Sequence, residues 1–213
     1  MLKTRPVVVG LGPAGLFAAL LLARSGFRPL VLERGPELDE RVKAVEHFEK
    51  TGELNLNANI QFGEGGAGTF SDGKLTTRVG DPLCAFVTDA FLQHGAPADI
   101  AWRQKPHVGT DLLRGIIRSI RQEIIALGGE VRFNTALTGL KIENGALAGV
   151  ETTAGDFACE QLILAVGHSA RDTFAMLHRQ GMPLECKPFS VGFRAEHLQT
   201  EIDKSLYHAA AGH

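Results

Sequence analysis

With 213 residues, 44% of them hydrophobic, the chain is long enough for one large domain or two small ones with a buried core, which excludes a disordered protein. Its 22 Lys and Arg stand against 24 Asp and Glu, a net charge of -2, so it lacks the basic excess that a nucleic-acid partner requires. Cys84, Cys159 and Cys186 are odd in number, far apart and form no CxxC pair, which argues against a disulfide framework, a metal site or a dithiol redox centre and fits a reducing cytoplasm.

At the N-terminus Lys3 and Arg5 precede an uncharged run, 6–23, that imitates an export signal. Gly10, Gly12, Pro13 and Gly15 interrupt it, and it falls short of the ~20 apolar residues of a membrane span, so no membrane association is expected. "PVVVG" at 6–10 reads instead as a strand buried on both faces, 14–25 as a helix closed by Gly26, and "PLVLE" at 29–33 as a second strand. Together they make one βαβ unit.

Residues 36–51 alternate charged and apolar positions at helical spacing, and the charges are expected to form a solvated face. No period follows from 51 to 80, and so long a structureless stretch inside a domain is usually functional. Helices are expected over 82–94, with Cys84 on its buried side, and from Thr110 or Asp111, whose side chains can cap the first turn. In the second helix Leu112, Leu113, Ile116, Ile117, Ile120, Ile124 and Leu127 recur three and four apart.

From Glu130 the pattern turns to short strands: "VRFNT", then "TGLKIE" and "ALAGVETT" joined across Asn144-Gly145, a hairpin signal, then "QLILAVG" at 161–167. A helix over 170–180 and a strand within 187–197 complete the expected elements.

The chemistry begins at Gly10-Leu11-Gly12-Pro13-Ala14-Gly15, a GxGxxG between strand and helix. The first glycine permits the tight turn, the second admits a pyrophosphate to the backbone, and the third lets helix and strand pack closely. Glu33, at the end of the second strand with Arg34 beside it, is placed to accept hydrogen bonds from an adenosine ribose, and it would repel the 2'-phosphate of NADP.

A second glycine-rich segment, "GEGGAGTFSDGKL" at 63–75, contains GxxxxGK, but Leu75 stands where a nucleotide triphosphatase needs a magnesium-binding Ser or Thr, and Asp72 puts a carboxylate inside the loop. The loop is therefore expected to serve the dinucleotide held by the first motif.

"GPAG" with Glu33, "FGEGGAGTFSDGKL", "HVGTD" and "LILAVGHSARDT" together resemble the FAD-dependent dehydrogenases of the glutathione-reductase-like flavoprotein superfamily, in an uncharacterised bacterial branch, over nearly the whole chain. The resemblance implies an α/β, Rossmann-like FAD-binding domain with a βαβ N-terminus, a central parallel sheet and a small antiparallel hairpin or meander over 1–181. It implies that 182–213 begins a truncated substrate domain, family members being longer. Carried over residue by residue, it assigns the ADP half of FAD to Gly10, Gly12, Pro13, Ala14, Gly15, Glu33 and Arg34, and the region of the pyrophosphate and ring to Gly65, Gly66, Ala67, Gly68 and Ser71. Val131 is implied to meet adenine through its backbone, and Ala165 and Gly167 to approach the cofactor.

The expected function is flavin-dependent oxidation or reduction of a small molecule, with FAD accepting the hydride. Apart from Gly63-Glu64-Gly65-Gly66-Ala67-Gly68, which repeats the GxGxxG spacing inside the aperiodic stretch, the sequence has no further GxGxxG and no second strand–GxGxxG–helix unit, so electrons would come from the substrate or from a transiently bound NAD(P)H. Two alternatives are a catalytically silent nucleotide-binding fragment and an NAD-binding module without flavin. Lys74, His107 and His168 are acid–base candidates, although in a chain with eight histidines any one of them is more often a surface or hydrogen-bonded residue.

Overall fold

Three β-branched residues begin the structure, a computed structural model that describes the chain except residues 1, 72–74, 76, 78, 104–107, 194 and 213. Val7–Val9 forms β1, Pro13–Arg24 α1, Leu30–Leu32 β2 and Leu38–Thr51 α2; Cys84–Gln93 forms α3 and Thr110–Ala126 α4. Glu130–Arg132 (β3), Leu137–Glu143 (β4), Ala146–Thr152 (β5), Gly155–Ala158 (β6) and Leu162–Leu164 (β7) follow, then Arg171–Arg179 (α5) and Gln199–Tyr207 (α6). Between 51 and 80 the regular structure among the described residues is one 3-10 turn, Ala67–Phe70.

The strands divide into a parallel sheet, ordered β3-β2-β1-β7, and an antiparallel sheet, β4-β5-β6. Alternation along the parallel strands decides what each face meets. Val8 and Val31 face a cluster built with α1, α3 and α4, in which Leu16, Leu20, Ile116, Ile120 and Ile124 are buried. Val7, Val9, Leu30 and Leu32 face the other way, toward Leu137 and Val150 of the antiparallel sheet and Met176 and Leu177 of α5. The parallel sheet is thus covered on both sides, and this mixed α/β architecture is the Rossmann-like one expected from the sequence. In the hairpin between β4 and β5, Asn144 and Gly145 both have positive φ, 51° and 79°, as a primed two-residue turn requires.

Four expectations differ. No side chain caps α4; Gly109 occupies that place, and Leu112 and Leu127 lie at the exposed margin of its apolar face. Cys84 begins α3 half-exposed, whereas the buried thiol is Cys159, whose pKa burial pushes up. Helix α2 is not simply solvated: Leu38, Arg41 and Val45 form a buried stripe at helical spacing, with Arg41 fully enclosed. The strand expected within 187–197 does not form among the described residues, where Phe189, Val191 and Phe193 are exposed. An isolated extended segment has no ladder to satisfy its backbone.

By compactness the chain divides into residues 1–182, which contain both sheets, and 183–213, which contain α6. Among the described residues no helix is long and apolar enough to cross a membrane.

Candidate dinucleotide cleft

The chain leaves β1 for β2 on one side while β7 pairs on the other, so the carboxyl ends of β1 and β7 flank a topological switch point, where open α/β sheets bind ligands. A cleft of about 500 Å³ lies there. The turn after β1 gives it Gly10, Gly12, Pro13 and Ala14, the end of β2 gives Glu33 and Arg34, and the second glycine loop gives Gly63, Gly66 and Ala67. The segment after β7 closes the far side with Ala165, Gly167 and His168.

The glycines of the first turn serve different ends. A Cβ on Gly10 would run into the carbonyl oxygen of Ala165, and one on Gly15 into that of Gly10, so these two glycines allow β1, α1 and the end of β7 to touch. A Cβ on Gly12 would meet no atom of the described residues within 4 Å. Gly12 also lines the cleft and caps α1, a 12-residue helix with Pro13 in its first turn and no side-chain hydrogen bond at its cap among the described residues. These amides and the positive end of the helix dipole suit a diphosphate.

Glu33 is nearly buried, 4% exposed, yet stands on the cleft wall. Its Oε2 accepts the Leu11 amide at 2.7 Å and its Oε1 the Gly35 amide at 2.9 Å, which fixes the carboxylate in place. A carboxylate oxygen has capacity for a second donor, so both remain able to take a ribose hydroxyl. An open space at Gly12, unshielded helix amides and a fixed carboxylate acceptor are what an adenine dinucleotide needs, and the residues present fit FAD in that respect.

Arg34 pairs with Asp172 in the first turn of α5, and this guanidinium holds the Asp172 carboxyl below its usual range. Gly65 is buried behind the cleft wall, its amide donating to the carbonyl of Leu11 at 2.8 Å. Gly66 packs so closely on the first turn that a Cβ would come within 2.6 Å of Pro13 Cδ. Gly68 and Ser71 continue the loop in and beyond its 3-10 turn and are not among the cleft-lining residues; neither is Val131, which pairs with Val31 in mid-strand and packs against the core. Thr135 and Leu137, just beyond β3, line the cleft instead.

Of the acid–base candidates, His168 lies on the cleft wall, and Lys74 and His107 fall outside the described residues. Sequence reasoning did not single out Leu164, Ala170 and Thr173, which also face the cleft, or the buried polar cluster behind the second glycine loop.

In that cluster Glu64 is fully buried: its Oε2 accepts the Leu38 amide at 2.7 Å, and its Oε1 lies 2.7 Å from Nε of Arg121 as an ion pair whose N–H is poorly aimed. Burial pushes the Glu64 carboxyl up, against the pull of Arg121 and the Leu38 amide. Burial likewise lowers the Arg41 guanidinium to about 10, with Glu33 and Glu64 opposing the shift.

Comparison with known proteins agrees with this geometry. Residues 3–59 match the family model described as FAD binding domain, and residues 114–212 the one described as FAD dependent oxidoreductase. An uncharacterized protein of Clostridium beijerinckii is 52% identical over 206 residues, 97% of this chain and 39% of the relative. Digeranylgeranylglycerophospholipid reductase 1 of Methanococcoides burtonii is 31% identical over 147 residues, 68% of this chain and 32% of the reductase. The chain therefore spans about a third to two fifths of the length of these relatives. In fold it is similar to THI4 of Thermovibrio ammonificans, with a TM-score of 0.52 at 16% identity over 84% of this chain and 62% of that one. Glycine oxidase of Bacillus cereus gives 0.51 at 14% identity, over 84% and 60%. With a Rossmann-like fold and a cleft fitted to an adenine dinucleotide, the chain carries matches to an FAD binding domain and to an FAD dependent oxidoreductase family, and FAD is its cofactor.

Proposed function

We propose that this chain holds FAD for hydride transfer to or from a small molecule, with the dinucleotide lying across the carboxyl ends of β1 and β7. The observation that carries the reading is Gly12, whose missing side chain opens the cleft directly over the first turn of α1. The amides of that turn would hold the diphosphate, and Glu33 would hold the adenosine ribose through its two fixed oxygens. Arg34, restrained by Asp172, would border the adenosine end, and Gly66 and Ala67 would cover the diphosphate from the second loop. Leu32, Leu137 and Leu164 give the cleft an apolar floor that excludes water. Bound FAD would supply the hydride-accepting ring. His168 is the described side chain placed to move a proton at the cleft wall.

The electron partner is a small-molecule substrate or a transiently bound nicotinamide. A cytoplasmic setting is supported by the three free cysteines. The test is titration of the purified, flavin-free chain with FAD, followed by flavin fluorescence and visible absorbance. Saturable quenching with a red-shifted, structured absorbance band is expected; no binding even at millimolar FAD would overturn the reading.

A further inference from the structure

The second glycine loop has little regular structure of its own, yet one side chain takes up much of its hydrogen-bonding capacity. Arg41, fully buried in α2, donates from Nε to the Asn59 carbonyl at 3.0 Å and from Nη2 to the Ile60 carbonyl at 3.1 Å. Its Nη1 lies within reach of three acceptors, the carbonyls of Glu64 at 2.7 Å and Gly66 at 3.0 Å and Oγ1 of Thr69 at 3.0 Å. Its plane also lies over the Phe70 ring, 4.8 Å from the centroid. All three guanidinium nitrogens therefore bind one segment, 59–69.

The partners are unusual for a buried cation. Among the described residues every hydrogen-bond acceptor is a neutral oxygen, with no described carboxylate bonded to the guanidinium. A well-packed apolar side chain commonly stabilises such a position as well or better. What an arginine adds is geometry, because its planar fork fixes several oxygens relative to one another.

The same segment is fastened on its other side. The Gly65 amide donates to the Leu11 carbonyl, Gly66 rests on Pro13, and Arg114 donates to the Thr69 carbonyl at 3.1 Å. Gly63 leaves room for the guanidinium itself: a Cβ there would come within 2.8 Å of Arg41 Nε. Arg41 thus grips the loop from behind at the point where its front meets the first glycine turn.

We propose that Arg41 is a positioning residue of the cofactor cleft. Without lining the cleft, it sets residues 59–69 in the one conformation that presents Gly66 and Ala67 to the diphosphate, so this wall exists before any cofactor arrives. The inference rests on the FAD-binding reading above. A wall built in advance spares binding the cost of ordering the loop, and its loss is read as weaker affinity.

The experiment compares the parent chain with Arg41→Lys, Thr69→Val and Ile120→Ala, the last a core substitution away from the loop. FAD affinity is measured by fluorescence, and amide hydrogen exchange is followed in the flavin-free proteins. Arg41→Lys should bind FAD about tenfold or more weakly, with faster exchange confined mainly to 59–70. Thr69→Val, which removes one Arg41 acceptor together with the bond that this hydroxyl donates to the Gly66 carbonyl at 2.8 Å, should lose about threefold with the same local exchange, and Ile120→Ala should lose stability while keeping its affinity. If Arg41→Lys does not fold, Thr69→Val decides. Unchanged FAD affinity in the folded loop variants, or an equal loss in Ile120→Ala, would overturn the inference while leaving FAD binding intact. A parent that does not bind FAD would remove the functional reading and this inference with it.

Discussion

Gly12 and Gly15 lie three residues apart in one turn, but a methyl group on each would meet opposite fates. On Gly15 it would strike the Gly10 carbonyl, a backbone atom that moves only if β1 or α1 moves; on Gly12 it would enter the open cleft. Gly15→Ala is therefore expected to prevent stable folding, a loss of about 4 kcal/mol or more. Gly12→Ala should remain folded at a cost of about 0.5–1 kcal/mol at the helix cap, yet lose FAD affinity by about tenfold or more. Urea unfolding and FAD titration of the two variants separate these effects; a Gly12→Ala protein that binds FAD normally would contradict the proposed diphosphate position.

Helix α4 shows how one element divides its residues between packing and solvent. Ile120 is fully buried against the sheet, whereas Ile125 is 46% exposed. Ile120→Ala should cost about 2–5 kcal/mol by leaving a cavity, and Ile125→Ala less than about 1, measured by urea unfolding. This division was legible in the sequence because apolar positions three and four apart define the inward face, and β1, β2 and β7 were legible because short runs ended by glycine or acid need no context to be recognised. Arg41 was not. It occupies the middle of a buried stripe with Leu38 and Val45, where helical periodicity expects a hydrophobe, and its partners are backbone carbonyls that hydropathy does not register. The position of the cleft was legible at GxGxxG and Glu33, which local spacing puts at the ends of β1 and β2. Thr135 and Leu137 were missed because only the register of β3 with β2 brings that segment to the cleft mouth.

Over the whole molecule, several carboxylates are held charged by arginines: Glu123 by Arg24, Glu130 by Arg132 and Arg5, and Asp172 by Arg34, each with its pKa lowered. Their native-state pKa values lie below the unfolded ones, so their contribution is present above about pH 4.5 and is lost as pH falls through the lowered values. The urea midpoint should therefore fall below about pH 4.5, with a smaller acid loss in high salt, which weakens these partly exposed pairs; above that range Glu64, whose carboxyl is raised by burial, acts in the opposite sense. A midpoint that rose as pH fell below about 4.5 would contradict this arrangement. The pairing of β1 with β7 has a further consequence during synthesis. The first glycine turn leaves the ribosome before the strand forming the opposite bank, which is translated only after the hairpin and its sheet. A nascent chain halted before residue 160 has the turn and the acid but no far bank, so under the proposed binding mode capture of the flavin would wait until β7 has emerged.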